Sequence, residues 1–382
     1  MRICILNLTS GNMCWGYRNY LTELVPRVAS HPSVDAVLVG MPQSVDVSHR
    51  DHLGDTVELI SLRCTLAARG REVNRPEKRK IERFSPDVIF IPTARHWRLN
   101  GIPVVNMVRN MMPATRAYSR DYIEYAKNWA RLIQMRQAVH KARRVIAVSK
   151  FVGRYLCEDL GVASENIGIV YHGTPQPCGR RAKRPVLVSD EWRRRFVFMA
   201  GSIYPYRGIE DVILACARMK SPPYVVIAGF VGHRMGKYHD RLKELVQTTR
   251  LSSQIRFVGA LTREEMGWCY QNCAAFVMSS RVEACPNIAL EAMAHGCVCI
   301  STLNPPMPEI FGDAARYYAA GDSAELVEQL TAALHLSVAQ QEEARHEAIA
   351  TAAKFSWDAC CEKTIEELQK VAHNRDQGDA FN

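Results

Sequence analysis

Short apolar runs separated by mixed stretches set the plan of the chain. In the first half these runs are "RICILNL", "VDAVLVG", "TVELISL", "DVIFIP", "PVVNMV" and "RVIAVS". Their near-continuous aliphatic character reads as strands buried on both faces, since a strand with one wet face would alternate polar and apolar positions. Between them, "GYRNYLTELVPRVA" and "DYIEYAKNWARLIQMRQAVHKA" place apolar residues at three- and four-residue spacing and predict crossover helices. The rhythm restarts at "FVFMAGS" and continues through "YVVIAGF", "IRFVGA", "AAFVMSS" and "CVCIS". Helices are predicted between these strands at "GIEDVILACARM", "KYHDRLKELVQTT", "TREEMGWCYQ" and "NIALEAMAH". Strand and helix in alternation predict a mostly parallel sheet covered on both sides, and two such series predict two α/β domains.

The stretch "GTPQPCGRRAKRPVLVSDEWRRR" interrupts the rhythm with glycine, proline and charge, as an interdomain linker does. The expected organisation is an N-terminal domain over 1–175, a linker over 176–195 and a second domain over 196–354. A closing helix over 355–372 and a polar, frayed tail over 373–382 follow. A chain of 382 residues is long enough for two domains. Doubly wound sheets bind ligands beyond the carboxyl ends of their strands, so two of them facing across a cleft would serve two substrates.

Composition narrows the picture. No apolar run is long enough to span a bilayer, and "MRICILNLTS" reads as a strand and loop rather than a cleavable leader, which sets the expectation of a cytoplasmic protein. The thirteen cysteines are scattered; Cys269 with Cys273, and Cys297 with Cys299, fall on a helix and a strand and read as small reduced thiols. The formal net charge of +10 has a local source in "SLRCTLAARGREVNRPEKRKIERF", "GRRAKRP" and "EWRRRF". Aromatic residues do not interleave regularly with these bases, so no nucleic-acid partner is expected. An anionic membrane surface, an anionic or lipid-linked acceptor and an ordinary solvated face all remain compatible with them.

The chemistry concentrates in "EACPNIALEAMAHG", residues 283 to 296. Pro286 suits the first helical position, which would let Asn287, Ile288 and Ala289 present first-turn N–H groups to a phosphate. Glu283 in the preceding loop and Glu291 beyond that turn would repel a diphosphate but accept hydrogen bonds from vicinal hydroxyls. A ligand with phosphates flanked by a ribose and a second sugar satisfies all of these groups together.

At this point the sequence resembles a known family. "EACPNIALEAMAHG" is similar to the E-x7-E signature of retaining GT-B glycosyltransferases of family 4. "FMAGSIYPYRGIEDVILACARM", "RFVGALTREEMGWCYQNCAAFVMSS", "MPEIFGDAARYYAAGDSAELVEQL", "FSWDACCEKTIEEL" and "RVIAVSKFVGRYLCEDLGVASENIGIVYHG" extend the likeness over nearly the whole chain. The resemblance implies the GT-B fold, two doubly wound Rossmann-like domains facing across a cleft. It also implies transfer of a sugar from a nucleotide diphosphate sugar to a hydroxyl of a glycan or lipid-linked glycan, in cell-surface polysaccharide synthesis at the inner face of the membrane.

Residue by residue, it implies that Glu283 contacts the transferred sugar, that Glu291 binds the donor ribose and that Asn287 and Ile288 donate from the backbone. Arg207 in "PYRG" takes the basic phosphate position, where a guanidinium can pair two oxygens of a leaving diphosphate. Gly16 in "GNMCWGYRNY" lets the first loop approach the donor. Two positions depart from the family pattern: Ser202 stands where many relatives carry a second basic residue, and Arg109 stands nearest to their usual histidine. Arg109 can bind a sugar hydroxyl or an anionic acceptor but cannot act as a neutral base. No cofactor or metal is expected, because Arg207 and the helix N-terminus can neutralise the leaving phosphate. The alternatives are a nucleotide-sugar epimerase or phosphorylase on the same frame, or a non-catalytic nucleotide-sugar-binding protein.

Overall fold

The apolar runs become the central strands of two parallel sheets in the computed structural model, which describes residues 1–9, 15–42, 57–67, 70–99, 101–114, 122–177, 179–232 and 234–372. The tail at 373–382 lies outside the described residues. The chain divides into two compact units, Met1–Gly173 with Ser356–Asn382, and Thr174–Phe355.

The first unit carries β1 (Arg2–Leu6), β2 (Ala36–Pro42), β3 (Val57–Leu62), β4 (Cys64–Ala67), β5 (Gly70–Val73), β6 (Val88–Ile91), β7 (Val104–Val108), β8 (Arg144–Ala147) and β9 (Ile167–Ile169). Seven of them pair in parallel in the order β3-β2-β1-β6-β7-β8-β9, while β4 and β5 form an antiparallel hairpin. The parallel pairs are crossed by α1 (Trp15–Ala29), α2 (Arg75–Phe84), α3 (Tyr122–Lys141) and α4 (Lys150–Glu158). Every residue of β6 and β7 is buried, as expected of strands covered on both faces. Ser149 starts α4 by accepting the Val152 N–H at 3.2 Å, satisfying an amide that has no partner within the helix.

The second unit carries β10 (Phe196–Ala200), β11 (Tyr224–Ala228), β12 (Ile255–Gly259), β13 (Ala275–Met278), β14 (Cys299–Thr302) and β15 (Ala315–Tyr318). They form one parallel sheet in the order β12-β11-β10-β13-β14-β15. Its helices are α5 (Ile209–Arg218), α6 (Gly236–Thr248), α7 (Arg263–Asn272), α8 (Asn287–Ala294), α9 (Met307–Phe311), α10 (Ser323–Leu334) and α11 (Val338–Ala353). The buried side chains of α5, α6 and α10 close one side of the sheet around Val197, Val225, Val277 and Ile300. The stretch expected as a linker, 176–195, belongs to this unit: Trp192 is buried and stacks on Tyr224 with ring centroids 4.5 Å apart.

The last helix, α12 (Trp357–Ala372), returns to the first unit. Arg144 at the start of β8 donates to Glu367 on its inner side, and Lys370 donates to the other carboxylate oxygen at 2.6 Å. Gly168 on β9 makes room for that carboxylate, since a Cβ there would lie 2.3 Å from it. Both sheets reverse direction of strand order once, between β1 and β6 and between β10 and β13. In doubly wound sheets such a switch point leaves a crevice at the carboxyl ends of the strands.

Candidate active site

The switch point of the second unit is built by the loops that leave β10 and β13. The first starts with Gly201 (φ 121°) and Ser202, then forms a single 3-10 turn over Pro205–Arg207 that Gly208 closes at φ 62°. Only glycine fits at position 208, because a Cβ would stand 2.1 Å from Arg281 Nη1 and 2.4 Å from the Ser279 carbonyl oxygen. The second loop is bonded directly to the first. Ser279 Oγ donates to the Arg207 carbonyl at 2.6 Å, and the Arg281 N–H donates to the Tyr206 carbonyl at 2.7 Å. From behind, Thr302 Oγ1 donates to the Ser280 carbonyl at 2.8 Å and Asn304 to the Arg281 carbonyl at 3.0 Å. Arg281 also donates to the buried Asp211 at 2.7 Å, whose second oxygen accepts the Gly321 N–H at 3.0 Å.

This bracing brings two predicted site residues together. Arg207 Nη1 donates to Glu283 Oε1 and, at 3.2 Å, to Ser280 Oγ. The two side chains are 19% and 13% exposed, so the pair is shielded enough for charge to act strongly yet still reaches the surface. Burial opposes the Arg207 charge most strongly, but Glu283 and Tyr206 together outweigh it and raise the guanidinium pKa. Burial in turn pushes the Glu283 carboxyl up, against the opposing pull of Arg207 and Ser280. Arg207 Nε is buried without a hydrogen-bond partner among the described residues, so the guanidinium keeps a donor in hand. Ser202, expected at the phosphate, lies half-buried in the same loop.

Helix α8 begins at Asn287, and Pro286 occupies the cap rather than the first helical position expected from sequence. The reason is its backbone: φ −77° and ψ 105° are extended, and the helix turns only after it. The Ala289 N–H, expected to face a phosphate, donates instead to the Pro286 carbonyl at 3.0 Å. Asn287 and Ile288 remain as the half-buried first turn. One turn on, Glu291 accepts the Tyr270 hydroxyl at 3.1 Å, and burial pushes its carboxyl up to about 7 although that bond and Arg263 pull it down. His295 packs its ring 5.1 Å from Tyr270 and bonds the Glu291 carbonyl at 2.8 Å. Tyr270, Ser280 and Arg281 were not singled out from sequence; only the fold brings them to the signature residues.

The other two predicted residues lie in the first unit. Arg109 follows β7, and its guanidinium sits over the Tyr17 ring at 4.2 Å and the Tyr20 ring at 5.7 Å. Gly16 was expected in the loop before α1; it lies within the first turn of that helix, because the helix already starts at Trp15. The loop itself, 10–14, is outside the described residues. Among the described residues no group of three or more His, Cys, Asp or Glu side chains is placed to hold a metal ion.

Comparison with known proteins bears on both units. Residues 181–355 match the family model of glycosyl transferases group 1, and residues 61–175 match that of Glycosyltransferase Family 4. An O-antigen chain mannosyltransferase B of Escherichia coli is 25% identical over 181 residues, 44% of each chain, so the present chain spans less than half the length of that curated relative. The fold is similar to that of Anabaena Alr3699/HepE in complex with UDP and glucose, with a TM-score of 0.74, 16% identity and coverage of 97% of this chain and 100% of that one. It is equally similar to sucrose-phosphate synthase of Thermosynechococcus elongatus, at a TM-score of 0.74 and 16% identity over 97% and 98% of the two chains. Two parallel sheets flanked by helices give the chain the GT-B fold, its second unit similar to the glycosyl transferases group 1 and its first to Glycosyltransferase Family 4.

Proposed function

We propose that the chain transfers a hexosyl group from a nucleotide diphosphate sugar to a hydroxyl of a glycan or lipid-linked glycan, with retention of anomeric configuration, as a member of family 4. The observation that carries this reading is the Arg207–Glu283 pair, braced at the switch point beside the first turn of α8. In the reaction the bond from the anomeric carbon to the phosphate oxygen breaks, and the acceptor oxygen bonds to that carbon from the same face. The acceptor proton passes to an oxygen of the departing diphosphate. Arg207 and the α8 N-terminus supply positive potential where the diphosphate gains charge, Glu283 accepts from hydroxyls of the transferred sugar, and Glu291 accepts from the ribose. Ser202 donates its hydroxyl near the phosphates, and Arg109 holds an acceptor hydroxyl. The relatives support the substrate class: one is a mannosyltransferase, and HepE has been crystallised with UDP-glucose.

Thermal unfolding with UDP, GDP and ADP in turn tests the donor side, because a ligand that binds only the folded state raises the transition. One of the three should raise it for the wild type, and Glu291→Ala should weaken that shift. Glu283→Ala should keep the shift and lose turnover. Nucleotide shifts absent throughout, or unchanged in Glu291→Ala, would contradict the assignment.

A further inference from the structure

Four cysteines that lie near one another in sequence as Cys269 with Cys273, and Cys297 with Cys299, pair differently in space. Cys273 caps the end of α7, Cys297 follows α8, and each lies two positions ahead of a strand, β13 and β14 respectively. Those strands are neighbours, Phe276 standing opposite Cys299, with the Phe276 N–H donating to the Val298 carbonyl at 2.8 Å. Their register sets the residues ahead of them side by side and brings Cys273 Sγ to 3.8 Å from Cys297 Sγ. Both thiols also donate to the Tyr270 carbonyl, at 3.5 and 3.2 Å, in the last turn of α7, where carbonyls lack a partner within the helix. Cys299 turns elsewhere, its Sγ donating to the Cys297 carbonyl at 3.3 Å. Among the described residues no third His, Cys, Asp or Glu completes a group that could hold a metal ion, so the two sulfurs stand as a pair. Both are free thiols, Cys273 partly exposed and Cys297 buried.

We infer that Cys273 and Cys297 form a reversible disulfide when a hydroperoxide reaches the chain, stapling together the two ends of the segment that carries the site residues. Positions 274–296 between them hold β13, the loop with Ser280, Arg281 and Glu283, and the whole of α8 with Glu291. Cys273 is the sulfur that a peroxide can reach. Burial above all pushes the Cys297 thiol well above its ordinary range, so it acts second. In the first step the Cys273 thiolate attacks one oxygen of hydrogen peroxide and the O–O bond breaks. A sulfenic acid forms on Cys273, and the departing hydroxide takes up a proton and leaves as water. Cys297 Sγ then bonds to Cys273 Sγ, the S–OH bond breaks, and the Cys297 proton leaves with that hydroxyl as a second water. The two sulfurs together give up two electrons, and the peroxide gains them. An external dithiol reverses the reaction by exchange, restoring both thiols and itself becoming a disulfide. A disulfide is about 2.05 Å long, so the sulfurs have about 1.8 Å to close from their present contact. The bond removes two weak S–H donors from the Tyr270 carbonyl. Against that, it closes a ring of about 25 residues whose freedom the unfolded chain then lacks, so the oxidised chain is the more stable one. The inference does not depend on the transferase reading, since no donor takes part.

Hydrogen peroxide added to the reduced full chain, followed by alkylation of the remaining thiols and peptide mapping without reductant, tests it. The Cys273 and Cys297 peptides should appear joined, about 2 Da lighter than their sum, and dithiothreitol should return both to thiols that alkylate. Thermal unfolding without nucleotide should show the oxidised chain melting about 5 °C higher and falling back on reduction. Cys273→Ser, at a partly exposed position, should melt like the reduced wild type and show neither the joined peptides nor the rise after peroxide. Cys273 and Cys297 that both still alkylate after peroxide would overturn the inference. So would either of them joined in its place to another cysteine, such as the neighbouring Cys299 or the exposed Cys157. An oxidised wild type that melts no higher than the reduced chain, or a Cys273→Ser variant that gains the same rise, would overturn it equally.

Discussion

Glu291 shows how much of the site's behaviour rests on one buried carboxyl. Its pKa stands near 7 in the folded chain against an ordinary 4.5, because burial disfavours the charged form more than the Tyr270 hydroxyl supports it. Below about pH 4.5 the group is protonated in folded and unfolded chains alike, and its contribution to stability is fully present. As pH rises from there to 7, the unfolded chain gives up the proton while the folded chain keeps it, so stability falls, by at most about 3 kcal/mol once both are ionised. Denaturant unfolding of Glu291→Gln should therefore lack the fall that the wild type shows across this window; a parallel fall in both would show that other groups produce it. Arg207 invites a second test. Arg207→Lys keeps a charge but not the planar fork, and should retain weak transfer, whereas Arg207→Ala should lose at least about 2 kcal/mol of transition-state stabilisation. Equal rates in wild type and Arg207→Ala would remove this side chain from the chemistry. Glu283 and Glu291 could be singled out from sequence because their spacing around a helix start is local, whereas Arg207, 76 residues before Glu283, was singled out through the family resemblance. Tyr270, Ser280 and Asp211 were not, since each meets its partner only after distant strands have paired.

Elements position these residues by close approach of backbones. Gly208 lies where the turn after β10, the start of α5 and the loop after β13 converge, at a left-handed φ with no room for a Cβ. Gly208→Ala should therefore destabilise the second unit by about 1 to 3 kcal/mol and also depress turnover, because Arg281 and the Ser279 carbonyl must move. Chemical denaturation with a parallel rate measurement checks this, and an unaffected rate would show that the loop bearing Glu283 is independent of the turn bearing Arg207. The buried strands were plain from their aliphatic runs, whereas the side chains that start α7, α10 and α11, Thr262, Asp322 and Ser337, each accepting first-turn amides, were not singled out. Three strand features were missed. The strand β9 is a three-residue piece containing Gly168, β15 is a half-exposed edge reading "ARYY", and the β4–β5 hairpin lies inside a stretch whose basic charge masks its pattern. Short edges carry too few apolar residues to declare a period, and their pairing is decided by the neighbouring strand.

At the scale of the whole chain, α12 decides the integrity of the first unit. Trp357 packs against His172 and Tyr20, with ring centroids 6.3 and 6.0 Å apart, and Gly173 admits the Trp357 backbone where a Cβ would stand 2.4 Å away. The Glu367 carboxyl, opposed by burial, is nevertheless held below its ordinary pKa by Arg144 and Lys370. Glu367→Ala leaves Arg144 without that partner and should destabilise the first unit by about 3 kcal/mol or more. Calorimetry should show an earlier transition for that unit and an unchanged nucleotide-induced shift of the other; a single transition moved as one would show the two units to unfold together. The helical period of "FSWDACCEKTIEEL" marks a helix but does not say which sheet it covers, so its return to the first unit could not be read from its own pattern. Transfer itself is the most direct test of the whole reading: release of nucleoside diphosphate from UDP-, GDP- and ADP-sugars, with and without a glycan acceptor, and the anomeric configuration of the product by NMR. One donor should be consumed in an acceptor-dependent way, the product should keep the donor's configuration, and Glu283→Ala should slow the reaction by about a hundredfold. Donors that bind without being consumed under any acceptor, or a product of inverted configuration, would contradict it.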